Sequence, residues 1–391
     1  MQPLRDITVV SLEQAIAAPY ATRQLADLGA RVIKVERPGA GDFARAYDSR
    51  VRGLSSHFVW VNRNKESLTL DIKDPRGMDA LRRLLADADV FVQNLAPGAA
   101  ERAGLGWAEL HAAHPELIVC DISGYGSPGP YATAKAYDLM VQSESGLLSV
   151  TGTAEEMAKV GISVSDIAAG MYAYSAILAA LLERGRTGEG AHVDVSMLEA
   201  TVEWLGFPLY YAYDGAEPPP RAGAAHATIY PYGPFTAGDD KVVMMCVQNE
   251  REWAAFCEHF LRRPELATHP DYAGNAARNA HREELGAIIA ARFAELTAAE
   301  AVELLAAVPV AHARVNSLAE VWRHPQLDAR GRWHQVQTPA GPIPALAPPG
   351  LVDDTPRMDP VPGLGEHTRA ILAEVGLTAD EIEALTTGGA A

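Results

Sequence analysis

The segment Ser163-Val164-Ser165-Asp166-Ile167-Ala168-Ala169-Gly170 sets one carboxylate at the mouth of a long apolar run. From Ile167 to Leu182 no side chain is charged, and Glu183-Arg184-Gly185 then supplies a polar stop and a glycine cap. The pattern predicts a mostly buried helix with Ser165 as its N-cap and Asp166 as its first residue. Exposed N–H groups and the helix dipole favour negative charge there by about 0.3–1 kcal/mol. Position alone leaves two readings of Asp166, a helix cap or an anionic nucleophile aimed outward. As a nucleophile, an aspartate near its ordinary pKa of about 3.9 is already ionised at neutral pH and needs no general base. Carboxylate is a weak nucleophile, so the rate must come from placement against its target. The small-residue helix behind Asp166 would serve as a dry wall.

A second set of residues suits a polyanion. Arg37, Lys73 and Arg102 each follow a predicted strand, at the edge where open α/β sheets bind ligands. Singly each is a solvated surface charge; together they could hold phosphates. His57 and His226 read as polar loop residues that could also touch a substrate.

The elements that must position these groups alternate along the chain. Ile7–Leu12 reads as a buried strand, a helix opens near Pro19 and ends at Gly29, and Arg31–Glu36 returns as a second strand. Leu68–Asp71, Val90–Gln93 and Leu117–Asp121 are further strands, with helices from Asp74-Pro75 and around Ala108–Ala113 between them. This is an α/β pattern with a large doubly wound, Rossmann-like domain, expected over residues 1–200 and 331–391. A linker at 201–224, rich in proline around Pro218-Pro219-Pro220, leads to a smaller α+β domain at 225–330. That domain is expected to hold a strand at 241–247 and helices near 250–262, 281–295 and 298–306. The run from Pro339 to Pro362 should be extended, and a last amphipathic helix should begin near Glu366.

Composition narrows the functions. In 391 residues, 48% hydrophobic content can bury a large core. A net charge of −17 argues against nonspecific binding to nucleic acid or an anionic membrane. Cys120, Cys246 and Cys257 show no metal or disulfide spacing, the N-terminus lacks a signal-peptide core, and the apolar run Met171–Leu182 is too short to span a bilayer. A soluble cytoplasmic protein is expected. The first turn, Gln14–Pro19, has no G-x-G-x-x-G, which excludes a standard NAD-linked dehydrogenase fingerprint. Phosphate-loop, nucleophile-elbow and metal motifs are also absent from the sequence.

Several segments together resemble the family III CoA-transferases, the group that includes formyl-CoA transferase, carnitine CoA-transferase and the alpha-methylacyl-CoA racemases. They are Ala30–Pro38 with Gly41-Asp42, Asn62–Ser67, Asn94-Leu95-Ala96-Pro97-Gly98, Ser123-Gly124-Tyr125-Gly126 and the Ser165-Asp166 helix. Arg186–Gly190 leading to Val193–Met197, and Leu364–Thr368, complete a set that runs in order along nearly the whole chain. The resemblance implies that Asp166 attacks a donor acyl-CoA thioester, passes through a mixed anhydride to an aspartyl-CoA thioester, and hands CoA to an acceptor carboxylate. It implies that Arg37, Lys73, Asn94, Arg102 and Lys135 contact CoA, which comes as a substrate and not as a resident cofactor. It also implies an interlocked homodimer.

Two positions depart from the family pattern. Ile16 stands where formyl-CoA transferase has a glutamine, which argues against oxalate or formate, and Leu95 replaces an aromatic that stacks on adenine. No tetraglycine lid is present; Tyr230–Pro234 occupies that region. Racemases of the fold carry His before the acid in the segment of Ala136-Tyr137-Asp138. Tyr137, with an ordinary pKa of about 10, is a poor base and suits hydrogen bonding to an acyl oxygen, or packing. Asp138 reads as an exposed loop acid. Arg45, Arg50 and His57 could receive the distal carboxylate of a diacid such as succinate, mesaconate, itaconate or citramalate. Succinyl-CoA would then be a fitting donor. The same resemblance leaves a 2-methylacyl-CoA racemase and a noncatalytic CoA-binding subunit as alternatives.

Overall fold

A computed structural model of the chain describes residues 2–350, 355–387 and 389–391. It contains two compact units, one of residues 1–147, 160–206 and 326–391, the other of residues 148–159 and 207–325. The first is built on six parallel strands: β1 (Thr8–Leu12), β2 (Arg31–Glu36), β3 (Lys65–Thr69), β4 (Val90–Gln93), β5 (Ile118–Ser123) and β6 (His192–Ser196). Their order, β3-β2-β1-β4-β5-β6, is the doubly wound arrangement expected from the alternating pattern. The chain direction across the sheet reverses between β1 and β4, and ligands collect at the strands' carboxyl ends beside such a point.

Both faces of the central strands are buried, which is why β1 and β4 read as nearly continuous apolar runs, while edge strand β6 exposes alternate residues. Val9, Val32, Val92 and Cys120 face one core, shared with α1 (Ala17–Asp27) and with the long helix that carries Asp166. Val10, Ile33, Phe91 and Val119 face the other, shared with α2 (Pro75–Ala86) and the C-terminal helices Thr368–Glu374 and Ala379–Thr387. The C-terminal helices thus complete the large sheet's packing, and the one amphipathic helix expected there is two, parted at Gly376 with φ 86. Strand β3 lies three residues earlier than expected, because Asn64 adopts a left-handed φ of 64 and turns the chain straight into it. The helix Ser56–Val61 before it was not expected from the pattern.

Between β5 and β6 lie α3 (Asp138–Glu144) and α4 (Val164–Thr187), and α5 (Met197–Trp204) follows β6. Helix α4 begins two residues earlier than expected, with Ser163 and not Ser165 at its N-cap, and runs through Gly185 to Thr187. It stops at Gly188, whose φ of 73 suits a residue without a Cβ. At 24 residues α4 is long and apolar enough, by length and composition, to cross a bilayer, where the sequence suggested a shorter run. Here Ala168, Ala169, Gly170 and Ala173 pack it on α1, while Tyr172 and Leu182 remain exposed, so it is less buried than expected.

The second unit holds the antiparallel strands β7 (Tyr232–Thr236), β8 (Val242–Cys246) and β9 (Ala311–Arg314), in that order. Its core gathers Trp253, Phe256, Phe260 and Phe293. The helix expected over 250–262 is Glu250–Ala255 followed by a π-helical turn, Phe256–Phe260. Within the expected linker 201–224, α5 continues and Gly206–Tyr211 is helical, so extended chain is confined to the proline-rich part. In the run Pro339–Pro362, Ile343–Leu346 (β11) pairs antiparallel with Trp333–Val336 (β10), and residues 351–354 of that run lie outside the described residues.

Candidate active site

Asp166 stands in the first turn of α4, half-buried, and no cation faces it among the described residues. The helix N-terminus is not capped by its own serines. Instead Asp138, at the start of α3, reaches across, and its Oδ1 accepts the N–H of Ser165 at 2.8 Å and of Asp166 at 3.4 Å. Its Oδ2 accepts from Gln142 at 2.6 Å. Asp138 is therefore not the exposed loop acid expected from the sequence. It does the capping, which explains why the serine pattern misplaced the helix start by two residues.

The consequence for Asp166 reverses another expectation. Burial first, and the Asp138 carboxylate second, push its carboxyl up to about 7, against a helix-terminus field that would lower it. Asp166 is thus not fully ionised at neutral pH. A desolvated carboxylate with no ion-pair partner is poorly stabilised and correspondingly reactive.

Three segments bring other groups toward it. The loop after β5 folds back so that Gly124 lies against Ala136; a Cβ on Gly124 would come within 2.2 Å of the Ala136 Cβ. This return places Tyr137 beside Asp138 at the N-cap of α3, with its ring 65% exposed. A short 3₁₀ turn, Phe43–Ala46, presents Tyr47, which the sequence reading did not single out. Burial, then the carboxylates of Asp42 and Asp166, push the Tyr47 hydroxyl up to about 12, with Tyr137 a lesser neighbour. Tyr47 therefore stays a neutral hydrogen-bond donor throughout the physiological range. The third segment is the β1–α1 turn. Gly170, one turn along α4 from Asp166, packs so tightly on it that a Cβ would lie 2.7 Å from the Ala17 carbonyl oxygen. Ile16, buried at the N-cap of α1, belongs to that turn.

The anticipated CoA-binding cations all fall past the carboxyl ends of strands. Arg37 follows β2, Lys73 follows β3, Arg102 closes the short helix after β4, and Lys135 lies in the loop after β5. All four are exposed, and Arg37, Lys73 and Lys135 carry no acidic partner among the described residues. Asn94 does something different. Its Oδ1 accepts the Gln14 N–H at 2.8 Å and its Nδ2 donates to the Gln14 carbonyl at 2.9 Å, tying the β4 loop to the β1–α1 turn.

Of the residues expected to receive a diacid, Arg45 is committed elsewhere. It makes a two-pronged pair with Glu36, at 2.7 and 2.8 Å, and lies over the Phe58 ring. Its side chain braces the fold, as bidentate arginines on buried carboxylates do. Arg50 is exposed on a loop whose shape Asp48 fixes by accepting the N–H groups of Arg50 and Ser56. His57 Nδ1 lies 3.3 Å from Asp48, and its ring meets Tyr47 edge-on, which leaves Nε2 for a ligand. His226, in the second unit, accepts two backbone N–H groups and stacks on Tyr232, a loop-bracing role. Among the described residues no group of three His, Cys, Asp or Glu side chains is arranged to hold a metal ion.

A half-buried carboxylate flanked by phenol donors, at the cation-rimmed carboxyl edge of a parallel sheet, can attack an activated acyl group delivered on a phosphate-bearing carrier. The family model of CoA-transferase family III matches residues 4–368. The succinyl-CoA:glutarate CoA-transferase of Mus musculus is 37% identical over 396 residues, covering 100% of this chain and 90% of its own length. The succinate–glutarate CoA-transferase of Agrobacterium fabrum is 35% identical, covering 95% of this chain and 96% of its own. A crystal structure of a CaiB/BaiF family protein from Brucella suis, 34% identical, superposes with a TM-score of 0.84 over 95% of this chain and 99% of its own.

Proposed function

The chain belongs to CoA-transferase family III, and we propose that it moves CoA from succinyl-CoA to a dicarboxylate, glutarate first among them, through a thioester on Asp166. The observation that carries this reading is the unpaired, half-buried Asp166 carboxylate between Tyr47 and the Tyr137-Asp138 corner. An Asp166 oxygen attacks the donor carbonyl carbon, the C–S bond breaks, and CoA leaves as thiolate with a mixed anhydride behind it. The thiolate then attacks the Asp166 carboxyl carbon and expels succinate, giving the aspartyl-CoA thioester. Acceptor carboxylate attacks that thioester and releases thiolate again. The thiolate takes the new acyl group, and Asp166 returns as carboxylate. No water is consumed, so the apolar wall of α4 guards the anhydrides against hydrolysis. Tyr47 and Tyr137 are the donors available to the developing oxyanions.

Arg37, Lys73, Arg102 and Lys135 hold the phosphates of CoA, which enters and leaves as a substrate. His57 and Arg50 remain as contacts for the acceptor's second carboxylate, while Asn94 and Ile16 shape the turn against which the acyl group lies. The active form in this reading is a homodimer, interlocked as the family resemblance implies. The run from Phe207 to Tyr213, with Tyr210 81% and Tyr213 75% exposed, is the kind of apolar surface that a second copy covers. Three buried cysteines without disulfides suit a reduced cytoplasm.

A coupled assay with succinyl-CoA tests the substrate class. Glutarate, mesaconate, itaconate and citramalate are expected to include the best acceptor, and turnover with monocarboxylates alone would defeat the diacid reading. The pH profile tests the nucleophile. Because the Asp166 carboxyl is raised, its reactive anion accumulates only as pH climbs, so kcat/KM should rise with pH up to about 7 and level off above it. Asp138→Asn keeps an acceptor for the α4 N–H groups but removes the neighbouring charge, and should move that acid limb to lower pH. An unmoved limb in this variant would show that Asp138 does not tune Asp166.

A further inference from the structure

We propose that Asp42 is a positioning residue for acyl transfer: its buried carboxylate, locked by Lys34, holds in register the two segments that approach Asp166. Asp42 has no exposed surface, and neither does the Lys34 side chain. One carboxylate oxygen takes the Lys34 ammonium at 2.8 Å. The other accepts the Ala15 N–H at 3.1 Å and the Ala44 N–H at 2.9 Å. One side chain thus ties the β1–α1 turn to the 3₁₀ turn that presents Tyr47.

The β1–α1 turn needs such a tie. Ala15 sits at φ 60, in the left-handed region that costs a residue with a Cβ, and its neighbour Gln14 is held by both ends of the Asn94 amide. Two residues on, the Ala17 carbonyl presses against α4 at Gly170. On the other side, the Tyr47 hydroxyl feels the carboxylates of both Asp42 and Asp166. A shift of Asp42 would therefore reach Asp166's surroundings from two directions.

Lys34 is fixed in turn. It also contacts Glu13 Oε1 at 3.2 Å, and that same oxygen takes Lys65 at 2.7 Å, with the Thr22 hydroxyl on Oε2. Two buried amines, Lys34 and Lys65, and two buried carboxyls, Glu13 and Asp42, pair with one another around the base of the turn. Such a cluster adds little net stability compared with apolar packing, which leaves precise placement as its use.

The inference rests on Asp166 as the group that receives the acyl chain, and a matched pair of variants separates positioning from general stability. Asp27, at the far end of α1 about 15 Å away along its axis, is equally buried and bonded to Arg23 and Arg63 at 2.7 Å each. Asp42→Asn and Asp27→Asn are expected to lower the melting temperature by comparable amounts. Only Asp42→Asn should lower kcat with succinyl-CoA and glutarate, by about 100-fold, with the Kd for CoA within about threefold of wild type. Ala15→Val strains the same turn without touching a charge and should also lower kcat, by about tenfold, so the test survives if Asp42→Asn does not fold. The proposal is overturned if Asp27→Asn loses as much kcat as Asp42→Asn, if Asp42→Asn keeps wild-type kcat, or if Ala15→Val does. A transfer-competent Asp166→Asn enzyme would instead remove the premise about Asp166, a result separate from this comparison.

Discussion

Asp166→Asn is expected to lower kcat for CoA transfer by at least about 10⁴-fold while leaving CoA affinity nearly intact. The amide has the shape of the carboxylate and can occupy the same place in the first turn of α4, but it cannot form the anhydride. Arg37, Lys73, Arg102 and Lys135, the cations proposed to hold CoA, lie on other loops and should be undisturbed. The same change should stabilise the protein. Asp166 binds its proton more tightly in the folded chain than in the unfolded one, so wild-type stability falls as pH rises from about 4 to about 7. Above that range the ionised carboxylate is a standing cost, which Asn removes. An increase of about 1–3 kcal/mol at pH 8, measured by denaturant unfolding, would accompany the lost activity. A variant that is both inactive and less stable would mean that Asp166 serves the fold as a cap, the alternative its position allows.

Gly170→Val should be nearly as damaging, by a different route. Even a single Cβ at this position would lie 2.7 Å from the Ala17 carbonyl oxygen and 3.0 Å from the Tyr20 ring. Backbone cannot yield to that contact without one helix moving off the other. Overpacking of this kind costs about 1–3 kcal/mol, and β-branching adds to it. The larger effect falls on catalysis. Separation of α4 from α1 displaces Asp166 against the acyl group, and misplacement of about 1 Å can cost about 100-fold in rate. Steady-state kinetics and a melting curve on the same sample check both parts. A fully active Gly170→Val enzyme would show that the helix crossing does not set the position of the nucleophile.

Much of this was legible in the residues because the signals are local. Apolar runs parted by helix-cap residues mark a sheet buried on both faces, and β1, β2, β4 and β5 fall where those runs place them. The apolar, small-residue stretch after Asp166 marks a helix that carries this carboxylate near its start. The ordered motifs from Ala30 to Thr368 point to the family, whose match spans residues 4–368.

The parts that local pattern missed depend on partners remote in sequence. Asp138 reads as a loop acid until the return of the Gly124–Ala136 loop sets it over the end of α4, 28 residues from Asp166. With that tertiary cap in place, the serines need not cap and the helix starts earlier. The ordinary ionisation assumed for Asp166 fails for the same reason, since burial and a like charge arise only on folding. Arg45 reads as a free cation in sequence, and Glu36 claims it in the structure. One hint was available: Lys34 and Glu36 are charges inside a strand that is otherwise apolar, and such charges need partners when buried. That pattern pointed to Asp42 and Glu13 without being able to name them.

The central claim is that Asp166 itself carries CoA during turnover. Incubating the enzyme with succinyl-CoA, quenching rapidly in acid and measuring intact mass and peptides tests it most directly. A CoA thioester on the peptide containing Asp166, discharged by glutarate and absent in Asp166→Asn, is the predicted result. An enzyme that transfers CoA with Asp166 unmodified, or with the adduct on another residue, would contradict the account.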